Sequence, residues 1–288
     1  MFGGSTMLGT GMPDEFTIPS ILSKYLNVRG ETFYEVTNFG TGAFILEQDM
    51  QLLFDEIRKG NIPDMAVFYH GANDSYAGVY SPGKPGWYLG SEQLKNKLYN
   101  REDTLSLRNK IDWFKELHTY RLLSLFKSRI LLLAPSNATA SGRAGTSESE
   151  YYLDDYGPRA IEFIGYYKET LKLLNLVCEN YGITVFHIWQ PILVYGEKHL
   201  NEFEQSMIVN PALVSIFTFR EKDGVYLAKA MKTTYHLIEV TSFEEFKYFH
   251  NLSHVFDNVD EPIYIDWVHL GPKGNEIVAN KILDIINP

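Results

Sequence analysis

The chain has a single cysteine, Cys178, in 288 residues. No intrachain disulfide can form, so packing alone must hold the fold, and a cytosolic, periplasmic or surface location all fit. Cys178 closes the stretch Leu174-Asn175-Leu176-Val177-Cys178, which reads as the buried face of a helix, and its thiol is expected to be structural. No run of about eighteen apolar residues occurs, so no segment is fit to cross a bilayer as a helix. Cations are in deficit, 26 Lys and Arg against 36 Asp and Glu, and the net charge of −10 argues against nucleic acid or an anionic membrane as the main partner. Metal-ligand spacing is lacking as well. Among His199, His236, His250 and His254 only the last two stand four apart, with no HExxH-type glutamate between them, and no metal is expected.

What the chain does have is a large apolar complement. Hydrophobic residues make up 45% and aromatics 14%, ample for a buried core. The length exceeds a typical domain but suits one α/β unit with insertions, so a single domain over 1–288 is expected. Apolar residues at helical spacing predict helices over 16–26, 46–57, 158–181 and 272–286, with helical cover over 197–231 broken at Pro211 and Gly224. Strand candidates are 32–37, 64–69 and 183–189. Strands separated by helices imply a three-layer α/β/α sandwich around a parallel, flavodoxin-like sheet, with the ligand site off the C-terminal ends of the strands.

Two insertions interrupt the rhythm, near 76–100 and 136–156. The first mixes Gly78, Pro82, Gly83, Pro85 and Gly86 with Tyr76, Tyr80, Trp87 and Tyr88, and reads as a substrate-side loop whose aromatic faces suit sugar rings or acyl chains. Between the two, 103–134 reads as mainly helical, with 129–134 apolar enough for a buried end or a contact patch; the small, polar stretch 136–149 reads as a mobile loop.

Chemistry concentrates at the two ends of the chain. Phe2-Gly3-Gly4-Ser5-Thr6 offers a serine after two glycines, a turn in which Oγ and the serine's own N–H can face one point unobstructed. Asp266-Trp267-Val268-His269 offers an acid and a base three residues apart, spacing that lets the aspartate fix the imidazole tautomer while the other ring nitrogen reaches a serine. Between them, Tyr69-His70-Gly71-Ala72-Asn73-Asp74 follows an apolar run, and an asparagine at a strand's end can aim its amide at a developing oxyanion. His70 is a candidate pocket residue, and His187, inside a strand, reads as a core histidine. Gln190-Pro191 closes that strand, leaving Gln190 either to touch substrate or to cap the strand end.

Taken together, these segments resemble the SGNH branch of the GDSL esterases and lipases. Residues 2–6 look like the nucleophile block in its Gly-Gly-Ser form, 37–44 like the second block, 71–74 like the third and 266–269 like the last, in family order. The resemblance implies a triad of Ser5, His269 and Asp266, and an oxyanion hole built from Ser5, Asn73 and a second-block N–H. That block departs from the pattern: the residue five on from Asn38 is Ala43, with Gly42 one earlier, so both stay candidates.

The resemblance implies an acyl-enzyme mechanism without a cofactor. The expected substrate is a small-molecule or carbohydrate ester, foremost an O-acetylated sugar; O-acyltransferase, lipase or thioesterase activity on the same triad, and a non-catalytic binding module, are the alternatives. Trp87 joins His70 and Gln190 as a substrate-side candidate. Only Met1 and Phe2 precede the turn, so the natural chain is expected to start earlier, with a strand and an export signal or anchor ahead of Met1. The location would then be periplasmic, surface or membrane-anchored, and otherwise cytoplasmic.

Overall fold

Runs such as Met-Ala-Val-Phe-Tyr-His and Thr-Val-Phe-His-Ile-Trp are too short and too β-branched or aromatic for helices, and they form the central strands of one parallel sheet. The structure, a computed structural model, describes residues 1–29, 32–80, 156–209 and 221–286. In chain order these form β1 (Phe2–Gly3), α1 (Ser5–Leu8), α2 (Ile18–Arg29), α3 (Leu46–Arg58), β2 (Met65–His70), α4 (Ala72–Ser75), α5 (Tyr156–Asn180), β3 (Thr184–Trp189), α6 (Glu202–Val209), α7 (Glu221–Val240), β4 (Phe249–Asn251) and α8 (Pro272–Ile286). The sheet order is β1-β2-β3-β4 and every pair is parallel. All described residues fall in one unit, Met1–Leu89 with Glu150–Pro288; a second, Gly90–Ser149, lies outside them.

Alternation along the strands assigns the helices to the two faces. Phe68 pairs with His187 and His70 with Trp189, so these four share one face. There His70 meets Asp49 of α3, His187 meets Asn175 of α5, and Trp189 packs against Tyr167 of α5 and Tyr235 of α7. The other face, with Val67, Tyr69, Phe186 and Ile188, is left to α2 and α8, which pack on each other. α8 buries Val278, Ala279 and Ile282 completely and so anchors the chain just after His269. Cys178 is buried on α5, as its apolar setting implied, and burial pushes its thiol up to about 11.

Some elements differ from the sequence reading. Residues 32–37 form no strand: the neighbouring β1 is only two residues long, and contacts to it come from Phe39 N–H to Met1 O at 2.8 Å and Thr41 N–H to Gly3 O at 2.9 Å, with Phe33 left 81% exposed. Phe2–Gly3 itself forms β1, in register with Phe68 and Tyr69. Residues 76–80, assigned to a loop, continue from α4 as a π-helical turn, with Ala77 and Val79 buried. Gly224 does not break α7, because one glycine costs about 1 kcal/mol while Leu227, Ala230, Met231, Tyr235 and Ile238 bury one face of that helix. The helix predicted from 16 starts at Ile18, after a separate 3-10 turn at Asp14–Phe16; the Thr17 hydroxyl accepts from Ser20 N–H at its start. The readings for 81–155, including the rest of the first insertion, all of the second and Trp87, and the break at Pro211, fall outside the described residues.

β1 is secured by ring packing rather than by ladder length. Phe2 is buried between Phe39 and Phe68, each stacked 4.9 Å from it. Phe2→Ala is expected to lower stability by about 3–5 kcal/mol, measured by urea unfolding.

Candidate active site

The chain leaves β1 at Gly3, passes Gly4 and enters α1 at Ser5. Gly4 has φ −74° and ψ −153°, a backbone open to any residue, so a sharp turn is not what demands glycine. Close approach demands it. A Cβ on Gly4 would lie 2.3 Å from Asn73 Nδ2, and one on Gly3 would lie 2.6 Å from Tyr69 O and 2.8 Å from Met7 Cβ. The absent side chains let the end of β2 press against the start of α1. Ser5 thus heads α1 with a backbone N–H that has no acceptor within the helix.

At the far end of the chain, Asp266 folds its own loop around itself. Its Oδ1 accepts from the N–H groups of Val268 at 2.9 Å and His269 at 2.7 Å, and its Oδ2 lies 2.6 Å from His269 Nδ1. His269 Nε2 lies 2.7 Å from Ser5 Oγ. With Nδ1–H donating to the carboxylate, Nε2 carries the lone pair that accepts from the serine hydroxyl. Burial alone would raise the Asp266 carboxyl, but its bonds to the His269 ring and to the two N–H groups outweigh that and hold it below the ordinary carboxylate value.

This loop is braced from outside. Tyr264 and Leu270 form an antiparallel bridge, and Ile265 N–H donates to His269 O at 2.9 Å. Trp267 is pinned at both ends, its Nε1–H donating to Met207 O and its carbonyl accepting from Leu193 N–H, each at 2.9 Å. Glu204 on α6, fully buried, accepts from Ile263 N–H at 2.8 Å and Tyr264 N–H at 3.2 Å through Oε1, while Oε2 lies 2.9 Å from Lys198 Nζ. Sequence reasoning missed Glu204. A local signal was there: Asn201 and Glu204 form a reciprocal capping pair at the head of α6, with Glu204 N–H on Asn201 Oδ1 at 2.9 Å. Its reach to residue 263 is tertiary.

The donors expected for an oxyanion lie on segments tied to one another. Asn73 sits on α4 and spends one amide hydrogen on Phe44 O at 2.9 Å, which leaves the other without an acceptor among the described residues. Phe44 closes the turn from Thr41, with N–H to O at 3.2 Å, and inside it Ala43 has φ 63°, the left-handed region that is unfavourable for alanine. Thr41 in turn donates to Gly3 O at 2.9 Å, which fastens the turn to β1. No hydrogen bond among the described residues uses the N–H of Gly42 or Ala43.

The substrate-side candidates fare differently. His70 is a correction: it is 2% exposed and presents no surface to a substrate, its Nε2 lying 3.3 Å from Asp49 Oδ2 and its Nδ1 3.5 Å from Asp74 Oδ2. Although it ends β2, the pleat turns its side chain onto the face that α3 covers. Gln190 is buried too; its Oε1 accepts from the Thr6 hydroxyl at 3.2 Å, so it supports the residue next to Ser5. His187 is a core histidine with Nε2 2.7 Å from Asn175 Oδ1, and burial, aided by the charge of His70, pushes it down to about 3. Trp87 lies outside the described residues. The cavity of 1010 Å³ at the N-terminal ends of β1 and β2, lined by Leu26, Tyr34, Leu53 and Met65 among others, includes neither Ser5 nor His269.

A model of the GDSL-like Lipase/Acylhydrolase family matches residues 1–282. The chain belongs to that family, and its class is that of ester-hydrolysing enzymes. No curated protein matches the sequence. Among solved structures, similarity extends to the acetyl xylan esterase AlAXEase, with 15% identity over 99% of this chain and 98% of that one at a TM-score of 0.43. The acetyl-xylooligosaccharide esterase Axe2 of Geobacillus stearothermophilus gives 15% over 100% and 92% at 0.42. LAE5, an alpha/beta hydrolase from the metagenome of Lake Arreo, Spain, gives 11% over 99% and 92% at 0.42.

Two predictions come from the supports of this site. Glu204→Ala strands the Lys198 ammonium and two loop N–H groups, and is expected to lower unfolding free energy by about 3–5 kcal/mol in urea titrations. Asp49 accepts no hydrogen bond among the described residues, and burial pushes its carboxyl up to about 7. The unfolded chain ionises this group near pH 4, so the folded state binds the extra proton between about pH 4 and 7 and loses stability as pH rises through that window. Thermal melting across it should fall more steeply for the wild-type protein than for Asp49→Asn.

Proposed function

We propose that Ser5 is the nucleophile of a serine esterase, with His269 as its base and acid and Asp266 as the group that orients His269. The observation that carries this reading is the unbroken chain of contacts, 2.7 Å from Ser5 Oγ to His269 Nε2 and 2.6 Å from His269 Nδ1 to Asp266 Oδ2. Ser5 Oγ attacks the acyl carbon while its proton passes to His269 Nε2. The carbonyl oxygen becomes an oxyanion, met by the N–H of Ser5, the other hydrogen of the Asn73 amide and an N–H of the Gly42–Ala43 turn. The intermediate collapses, the C–O bond to the alcohol breaks and His269 returns the proton to that alcohol. Water, deprotonated by His269, then attacks the acyl-enzyme and releases the acid and free Ser5.

For the substrate we propose an ester of a small acyl group on a carbohydrate. Support comes from the aromatic content of the insertion after Asn73, where Tyr76, Tyr80, Trp87 and Tyr88 supply faces suited to sugar rings. The test is turnover of p-nitrophenyl esters of increasing acyl length and of acetylated oligosaccharides. Ser5→Ala is expected to lower kcat by at least about a thousandfold, and Asn73→Ala by about a hundred- to a thousandfold. Equal activity of Ser5→Ala and the wild-type protein would remove Ser5 from the mechanism, and a preference for long acyl chains would replace the substrate proposal.

A further inference from the structure

We propose that Asp74 is a positioning residue for the oxyanion hole, one buried carboxylate tying together the two segments that supply its donors. The inference rests on the roles assigned above to Asn73 and to the Gly42–Ala43 turn. Asp74 is 3% exposed and both its oxygens are engaged. Oδ1 accepts from Leu46 N–H at 2.9 Å and Oδ2 from Gly71 N–H at 3.1 Å. Leu46 follows the Thr41–Phe44 turn at the start of α3, and Gly71 opens the turn that carries Asn73, where φ is 140°. Asn73 Nδ2 closes the frame on Phe44 O at 2.9 Å. Two segments separated by almost thirty residues are therefore joined at two points, Leu46 N–H on Asp74 and the Asn73 amide on Phe44 O, while the second Asp74 oxygen holds its own turn through Gly71 N–H.

Charge explains why an aspartate stands there. Leu46 and Gly71 N–H both lack helical acceptors, and an anion at the head of the thirteen-residue α3 is favourable. An uncompensated carboxylate at this depth is unfavourable, and the His70 ring lies 3.5 Å from Asp74 and 3.3 Å from Asp49. Asp49 lies on α3 and His70 ends β2, so the same pair of segments is bridged a second time beneath the first. An asparagine at 74 keeps the shape but offers one acceptor where two donors wait, which gives up either the link to Leu46 or the clasp on the Gly71 turn that carries Asn73. Displacing an oxyanion donor by about an ångström costs about a hundredfold in rate.

The experiment compares the wild-type protein, Asp74→Asn, Asp74→Ala and His70→Asn on p-nitrophenyl acetate, with active sites counted from the burst. It adds inhibition by phenylboronic acid, which forms a tetrahedral adduct on a reactive serine, and the ¹⁵N side-chain amide resonance of Asn73. Both Asp74 variants are expected to lower kcat per active site about a hundredfold with KM within about twofold, and to weaken boronate inhibition by a similar factor. The Asn73 resonance should move in both, while His70→Asn shows the same pattern at about a tenth of the size. Wild-type kcat per active site in Asp74→Asn, or a loss accounted for by fewer active sites, overturns the inference. If Ser5→Ala matches the wild-type protein, or neither turns over ester, the esterase reading fails by itself. The Asn73 resonance needs no substrate and still decides this point: unmoved in Asp74→Asn, it overturns the positioning role.

Discussion

The serine half of the candidate site depends on backbone that approaches its neighbours closely without an intervening Cβ. The end of β1 presses on Tyr69 O and on the amide of Asn73, and Gly40 presses on the backbone of α1, where a Cβ would lie 2.2 Å from Leu8 N. These approaches bring the β1 turn, the 41–44 turn and the head of α4 together. Any side chain there would push at least one of them away, because close-packed interiors do not absorb an added methyl cheaply.

The second half of the site is built on a different principle. The loop of Asp266 and His269 is not made by glycines but by hydrogen bonds that Asp266 collects from its own neighbours, and it is held in place by α6 and by the chain after β3. α8 follows directly and is buried on one side. His269 therefore stands on a braced loop, while Ser5 stands on a short helix that Gln190 supports through Thr6.

Two groups of ionisable residues divide the labour. Asp266 keeps its charge because N–H groups and an imidazole satisfy it. Asp49, His70 and Asp74 are buried together, where burial raises Asp49, while the His70 ring and two backbone N–H groups hold Asp74 low despite its burial. The difference is one of hydrogen-bond supply: Asp74 has two backbone donors, and Asp49 has none among the described residues.

The sequence by itself determined the class of fold and the order of helices and strands around β2 and β3, which local spacing carries, and its resemblance to the SGNH esterases singled out Ser5, Asn73, Asp266 and His269 as candidates. Apolar periodicity marks an element from its own residues, and an acid three positions before a base is a local fact. It misread residues 32–37 as a strand, since strand formation needs a partner and β1 offers only two residues. It placed His70 at the pocket because the residue lies next to the Asn73 turn, whereas the pleat of β2 sends it under α3. It took the glycines before Ser5 as turn-makers, and the turn turned out to need room rather than an unusual φ. Glu204 and Asp74 earn their places from segments about sixty and thirty residues away. Only the tertiary structure decided these, since which buried donors a carboxylate meets depends on how distant segments pack.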